Sequence, residues 1–312
     1  MKNENKEGVV TFSLSNLHRP FGLLEKYNGF QLKRFLKHHK IDYIINASHY
    51  MFPVPVKRSS IYIYDLVDLH WGILENKFQK HVFSFISKEI SKADKIIACS
   101  KALISEVKKT FFRNADFVPN GTDVEKIRSV EKRDVEKLRQ KYNLSEKYVI
   151  GYISNFGPWA NLEFILEVFR ELKRTNEDAV LLLIGPGGEN LTDEGLGIFS
   201  IGPISPNIIH LYFNMIDVGI LPSSLSKFRH MSFPIKIIEY SAARKFVVST
   251  PLDEVKRLNF PNIFLVAEDI NQWVEALKQV KEKKWKKEWD KLVAPYDWSQ
   301  ISNNLRDIIK IS

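Results

Sequence analysis

The chain has 312 residues, 44% hydrophobic and 12% aromatic, enough apolar side chain to bury two cores and too much for a disordered polymer. Its 46 Lys and Arg against 37 Asp and Glu leave a net charge of +9, which suits a nucleotide's phosphates or an anionic membrane surface without choosing between them. The single cysteine, Cys99, excludes an internal disulfide framework and every cysteine-rich metal site, and points to a reducing, cytoplasmic compartment.

Short β-rich runs alternate with stretches of helical period, the pattern of α/β layers around a largely parallel sheet. The first set predicts strands over residues 41–47, 60–66, 94–100 and 115–119, with helices near 29–39, 76–92 and 101–112. The apolar run is continuous in each strand, as in a sheet covered on both faces. After the turn dipeptide Asn120-Gly121, the charged stretch from Asp123 to Lys147 reads as an inter-domain connection carrying one short surface helix.

The second set predicts strands over 148–154, 179–185, 198–202, 218–222, 246–250 and 263–267, with helices at 160–174, 206–215 and 235–243. Three helical segments close the chain, near 269–282, 284–293 and 299–310. No run approaches the roughly 20 apolar residues that a bilayer crossing requires. The expected architecture is α/β, two Rossmann-like domains facing across a cleft: residues 1–122, a charged connection at 123–147, a second domain at 148–295, and a terminal helix at 296–312 packing back on the first. Open parallel sheets bind ligands beyond the carboxyl ends of their strands.

The segment Met231 to Thr250 reads as a loop, a helix and a buried strand. Pro234 stands where a first helical turn starts, the helical position that tolerates proline best. Free backbone N–H groups of that turn and the positive end of the helix dipole favour a phosphate. Lys236 adds a mobile cation, and Glu239, one turn on, can accept from two vicinal ribose hydroxyls. The alternative is an ordinary i,i+3 ion pair on a solvated helix face.

Pro234-x-Lys236-x-x-Glu239-Tyr240-x-Ala242-Ala243, followed by Val247-Val248-Ser249-Thr250, closely resembles the donor-site signature P-x-K-x-x-E-Y-x-A-x-G-x-P-V-V of the group 1 (family 4) retaining glycosyltransferases. Further segments resemble that family in the same order. Ala93 to Ser100 is similar to its A-D-x-V-x-x-x-S strand, and Val118 to Asp123 to its V-x-P-N-G-V-D segment. Gly151-Tyr152-Ile153 with Trp159, Leu162 and Glu163 resembles the opening of its second domain, Leu182 to Pro186 its L-x-L-x-G-P strand, and Ile216 to Pro222 its D-V-x-x-x-P strand.

The resemblance implies the two-domain GT-B fold and transfer of a sugar, with retention at the anomeric carbon, from a nucleotide diphosphate sugar to a glycan or lipid-linked acceptor. It implies neither a metal nor a cofactor beyond the donor substrate. By the same resemblance Glu239 holds the ribose, Lys236 and the backbone at Pro234 and Ile235 meet the diphosphate, and Asn155, Phe156 and Gly157 face the same phosphates.

The chain departs from the family at definite places. Met231 stands where many relatives carry a glutamate that contacts the sugar, and the Arg/Lys pair of the second domain's first loop is absent. Lys227 or Arg229 is a substitute for that charge or a solvated pair. Arg244 and Phe246 replace the Gly and Pro of A-x-G-x-P, and the first strand, glycine-rich loop and helix usual in the family have no counterpart before Gly8 to Leu14. A noncatalytic sugar-nucleotide-binding or scaffold protein is the rival reading.

Asp65, Asp68 and His70 follow a strand of the first domain and are candidates for catalytic, acceptor or sugar contacts; the alternative is that the two aspartates cap a helix or form a turn. His49 is a weaker candidate. The glycines Gly185, Gly187 and Gly188 lack the residues of a phosphate loop and read as a turn. The basic run from Lys278 to Lys291 reads as a solvated helix, so no nucleic-acid partner is expected. Gly29 to Lys40 sets Phe30, Phe35 and Leu36 among cations, a pattern suited to peripheral contact with an anionic membrane, the inner face of the plasma membrane; Leu32, Phe35 and Leu36 equally suit a core-facing stripe.

Overall fold

Continuous apolar runs become parallel strands in the computed structural model, which describes residues 5–6, 9–10, 23–47, 54, 59–69, 77–188 and 190–310. The chain forms two compact units, Met1–Ala98 with Leu103–Phe117, and Cys99–Ala102 with Val118–Ser312.

The first unit holds a small antiparallel pair, β1 (Asn5–Lys6) and β2 (Val9–Val10). Its main sheet is parallel and four-stranded, in the order β3 (Tyr43–Asn46), β4 (Ile61–Leu66), β5 (Lys95–Ala98), β6 (Asp116–Phe117). Tyr62, Ile63 and Tyr64 of β4 are buried in its core. The Tyr62 hydroxyl donates to Glu89 Oε2 at 2.6 Å and accepts from Asn46 Nδ2 at 2.8 Å, while Lys92 Nζ lies 2.6 Å from Glu89 Oε1. These contacts satisfy a carboxylate that has no access to water, as a buried charge requires. The helix expected at 29–39 spans Leu23–His38, running through Gly29 rather than starting there.

The second unit carries a six-stranded, all-parallel sheet in the order β12-β11-β10-β7-β8-β9. The strands are β7 (Tyr148–Ile153), β8 (Ala179–Ile184), β9 (Ile198–Gly202), β10 (Val218–Leu221), β11 (Phe246–Ser249) and β12 (Ile263–Leu265). Every residue of β7, β8, β10 and β11 is buried, which is why their sequences do not alternate. Trp273, from the helix Ile270–Lys281, is wholly buried against this sheet and meets Phe164 edge to face at 5.6 Å. The chain runs outward from β7 to β9, then returns to β10 on the other side of β7. The order reverses at β7 and β10, the place where such sheets open a crevice.

The charged stretch after Asp123 forms two helices rather than one, Val124–Arg128 and Lys132–Lys141, both in the second unit. Asp123 caps the first by accepting from the Lys126 N–H at 2.9 Å. Arg139 ties the second to the sheet through Met215 O at 2.9 Å and Asp217 Oδ1 at 3.1 Å. The helix expected over 284–293 does not form as one piece: a 3-10 turn, Lys287–Trp289, leads into a short helix, Asp290–Val293. Trp285 instead donates from Nε1 to Asp290 Oδ1 at 3.0 Å and meets the Trp289 ring at 5.4 Å, contacts that fold the segment back on itself. The last helix, Trp298–Lys310, lies in the second unit, where Trp298 and Ile301 crowd Gly121.

Candidate functional site

β7 pairs with β8 from Tyr148 to Ile153 but with β10 only at Ile150 and Gly151, so the strands part toward their carboxyl ends. Beyond those ends lies a cavity of about 340 Å³. Ile153, Ser154 and Asn155 form one wall, Ile184, Gly185 and Pro186 a second, and Pro203, Ile204, Pro206 and Ile209 a third. Lys236 and Glu239, from the helix Ile235–Ala242, supply its charged end.

Local backbone chemistry shapes these walls. Gly185 has φ +135°, open to glycine and rarely to other residues. Ser154 N–H donates to Ile184 O and Phe156 N–H to Pro186 O, both at 3.0 Å, which draws the loops after β7 and β8 together. Residues 185–187 bend and turn as expected, and Gly185 among them also lines the cavity. The apolar wall of Pro203, Ile204, Pro206 and Ile209 carried no signal in the sequence, because none of those residue types bears chemistry.

Lys236 Nζ lies 2.8 Å from Glu239 Oε2, with side-chain exposures of 29% and 16%, and 5.3 Å from the centre of the Phe213 ring. The i,i+3 ion pair is therefore formed, yet it lines a cavity rather than a solvated face. Pro234 caps the helix with φ −85° and ψ 64°, outside helical geometry. Ile235 N–H donates to Phe233 O at 3.0 Å and Ile237 N–H to Pro234 O at 2.9 Å. The expectation of a free first-turn amide at Ile235 is corrected accordingly: the bend at Pro234 turns that N–H onto the preceding carbonyl. Pro234, Ile235, Phe156 and Gly157 do not line the cavity. Phe156 instead packs edge to face on Tyr152 at 5.1 Å.

Met231 ends the short helix Lys227–Met231, a piece not anticipated from the sequence. Arg229 on that helix is half-buried and donates from Nη2 to Ser223 Oγ at 2.9 Å, so it is not a solvated side chain. In the first unit, Asp65 lies near the carboxyl end of β4, paired in register with Ile97. Burial pushes its carboxyl up to about 6, into the range where a group exchanges protons near neutrality. Asp68 follows at a bend and is half-buried. His70 and His49 lie outside the described residues. Among the described residues no group of three or more His, Cys, Asp or Glu side chains is placed to hold a metal ion, and no helix is long and apolar enough to cross a membrane.

Residues 147–283, which include this whole cavity, match the family described as Glycosyl transferases group 1. The chain is 28% identical over 237 residues to TuaH of Bacillus subtilis (strain 168), named as a teichuronic acid biosynthesis glycosyltransferase; the match covers 69% of this chain and 58% of TuaH. Among solved structures, Anabaena Alr3699/HepE in complex with UDP and glucose superposes with a TM-score of 0.73 at 15% identity, covering 94% of this chain and 84% of that one. WaaG, a glycosyltransferase involved in lipopolysaccharide biosynthesis, gives 0.70 at 13% identity, covering 97% and 87%. Residues 147–283 are thus similar to the group 1 glycosyltransferases, and the shared architecture gives the chain the GT-B fold.

Proposed function

We propose that the protein transfers a sugar from a nucleotide diphosphate sugar to a glycan or lipid-linked acceptor, with retention of anomeric configuration and without a metal ion or cofactor. The observation that carries this reading is the cavity at the carboxyl ends of β7 and β8, lined by proline and isoleucine side chains together with Glu239 and Lys236. Proline and isoleucine suit the faces of a nucleobase, and a carboxylate suits two ribose hydroxyls. Lys236 turns from Glu239 to the diphosphate.

The bond from the anomeric carbon to the diphosphate oxygen breaks as the acceptor hydroxyl adds on the same face of the sugar. The acceptor's proton leaves on the departing diphosphate. Cationic donors aimed at that oxygen carry most of the rate enhancement, because charge develops there in the transition state. Asp65, Asp68 and His70 are proposed to contact acceptor or sugar. HepE bound to UDP and glucose supports a uridine donor, and the name of TuaH supports a cell-surface polysaccharide as product.

The reading extends to a cytoplasmic protein held at the inner membrane face. On the helix Leu23–His38, Tyr27 and Phe30 are 53% and 62% exposed and share a face with the exposed cations Arg34 and Lys37. Flotation with anionic liposomes tests this, and protein left at the bottom of the gradient refutes it.

Calorimetric titration of UDP, GDP and ADP into the protein and into Glu239→Ala tests the donor site. Selective binding lost in the variant is expected, and absence of binding by the folded protein overturns the reading. Met231, where relatives carry a glutamate, favours a noncatalytic nucleotide-binding protein as the second reading. Donor-dependent product formed with an acceptor excludes that alternative.

A further inference from the structure

β7 leaves backbone groups of its carboxyl half without a strand on the β10 side, and a side chain takes them up. Tyr240 Oη accepts from the N–H of Ile153 at 2.9 Å and donates to the carbonyl of Gly151 at 3.2 Å. Gly151 and Gly219 are register partners at the last pairing of β7 with β10. The Tyr240 ring lies directly over Gly219, so that a β-carbon there would meet three ring carbons at 2.5 to 2.7 Å. Phe213 closes another side of the ring, edge to face at 5.6 Å.

Tyr240 is wholly buried, and burial raises its phenol well above the ordinary value. The hydroxyl therefore keeps its proton and can donate and accept at once. Tyr240 also follows Glu239 directly, whereas Ile153 opens into Ser154 and Asn155 on the opposite wall of the cavity.

We propose that Tyr240 is a positioning residue, a wedge whose hydroxyl stands in for a strand and fixes the Ile153–Asn155 wall against the helix bearing Lys236 and Glu239. The inference rests on the donor-site reading and deepens it. Tyr240 touches no substrate; it sets the spacing between the groups that do.

Tyr240→Phe keeps the ring on Gly219 and removes only the hydroxyl. At a temperature where both proteins are fully folded, the variant is expected to bind UDP about tenfold more weakly. The Ile153 amide should exchange its hydrogen faster in the variant. A melting temperature lowered with UDP affinity within about twofold of the parent would mark the hydroxyl as a stabilising contact only and overturn the proposal. Should the variant fail to fold, the parent decides: an Ile153 amide protected like that of Ile150 supports the wedge, and one exchanging like an exposed loop amide refutes it. Parent protein that binds none of UDP, GDP or ADP overturns the donor-site reading instead, while Ile153 exchange still decides whether the hydroxyl holds the strand.

Discussion

A β-carbon placed on Gly185 would collide with the carbonyl oxygen of Ser154. The loop after β8 therefore passes flush against the loop after β7, and the cavity exists because a glycine permits that approach. Gly185→Ala must move backbone rather than a flexible side chain. The expected outcome is a loss of about 2 kcal/mol or more in unfolding free energy together with loss of nucleotide binding, read by denaturant titration and calorimetry.

Lys236 and Glu239 separate by substitution. Glu239→Gln keeps size and removes charge, so the uridine nucleotide should bind at least about tenfold more weakly as the ribose hydroxyls lose a charged acceptor. Lys236→Met should weaken UDP binding while strengthening binding of uridine itself, which no longer has to part Glu239 from an ammonium. Competition against a fluorescent UDP analogue measures both.

Asp65 gives a pH dependence whose sign is fixed by its shift. Its carboxyl stands near 6 in the folded protein against an ordinary 3.8, so between those values the folded state holds more protons than the unfolded one. Stability is then lost as pH rises from about 4 to about 6 and levels off above. Asp65→Asn should remove this component and be more stable than the parent at pH 7, as urea titrations across that range would show.

Tyr62→Phe tests the buried network of the first unit. Glu89 would keep Lys92 but lose the Tyr62 hydroxyl that donates to its second oxygen. A destabilisation of about 1–3 kcal/mol is expected, with the denaturant dependence unchanged. A stability equal to the parent's would mean that the hydroxyl is dispensable to Glu89.

Much of the second unit was legible because its strands are continuous apolar runs: Ala179 to Gly185 was expected as a strand and Ala179–Ile184 is one. Lys236 and Glu239, singled out by their spacing on one helix, and Asn155, singled out by the family resemblance, all line the cavity. Pro203, Ile204 and Pro206 were not, since a wall made of shape has no motif. Ile235 was misjudged because a proline before a helix was taken as its first turn, whereas Pro234 bends out of helical geometry and redirects the next amide. The run at 284–293 was expected as one helix, but Trp285 meets the Trp289 ring and donates to Asp290 instead.

The 2.8 Å contact between Lys236 and Glu239 pairs the cavity's two charges with each other. On the proposed reading, a ligand must separate the two, and gains only if it satisfies both. A free nucleoside offers hydroxyls to the carboxylate and strands the ammonium; pyrophosphate does the reverse. Only a molecule carrying sugar hydroxyls and phosphates at the right separation turns both halves of the lock, so selectivity against the abundant partial ligands of the cell follows from the pair's mutual attraction rather than from any added contact.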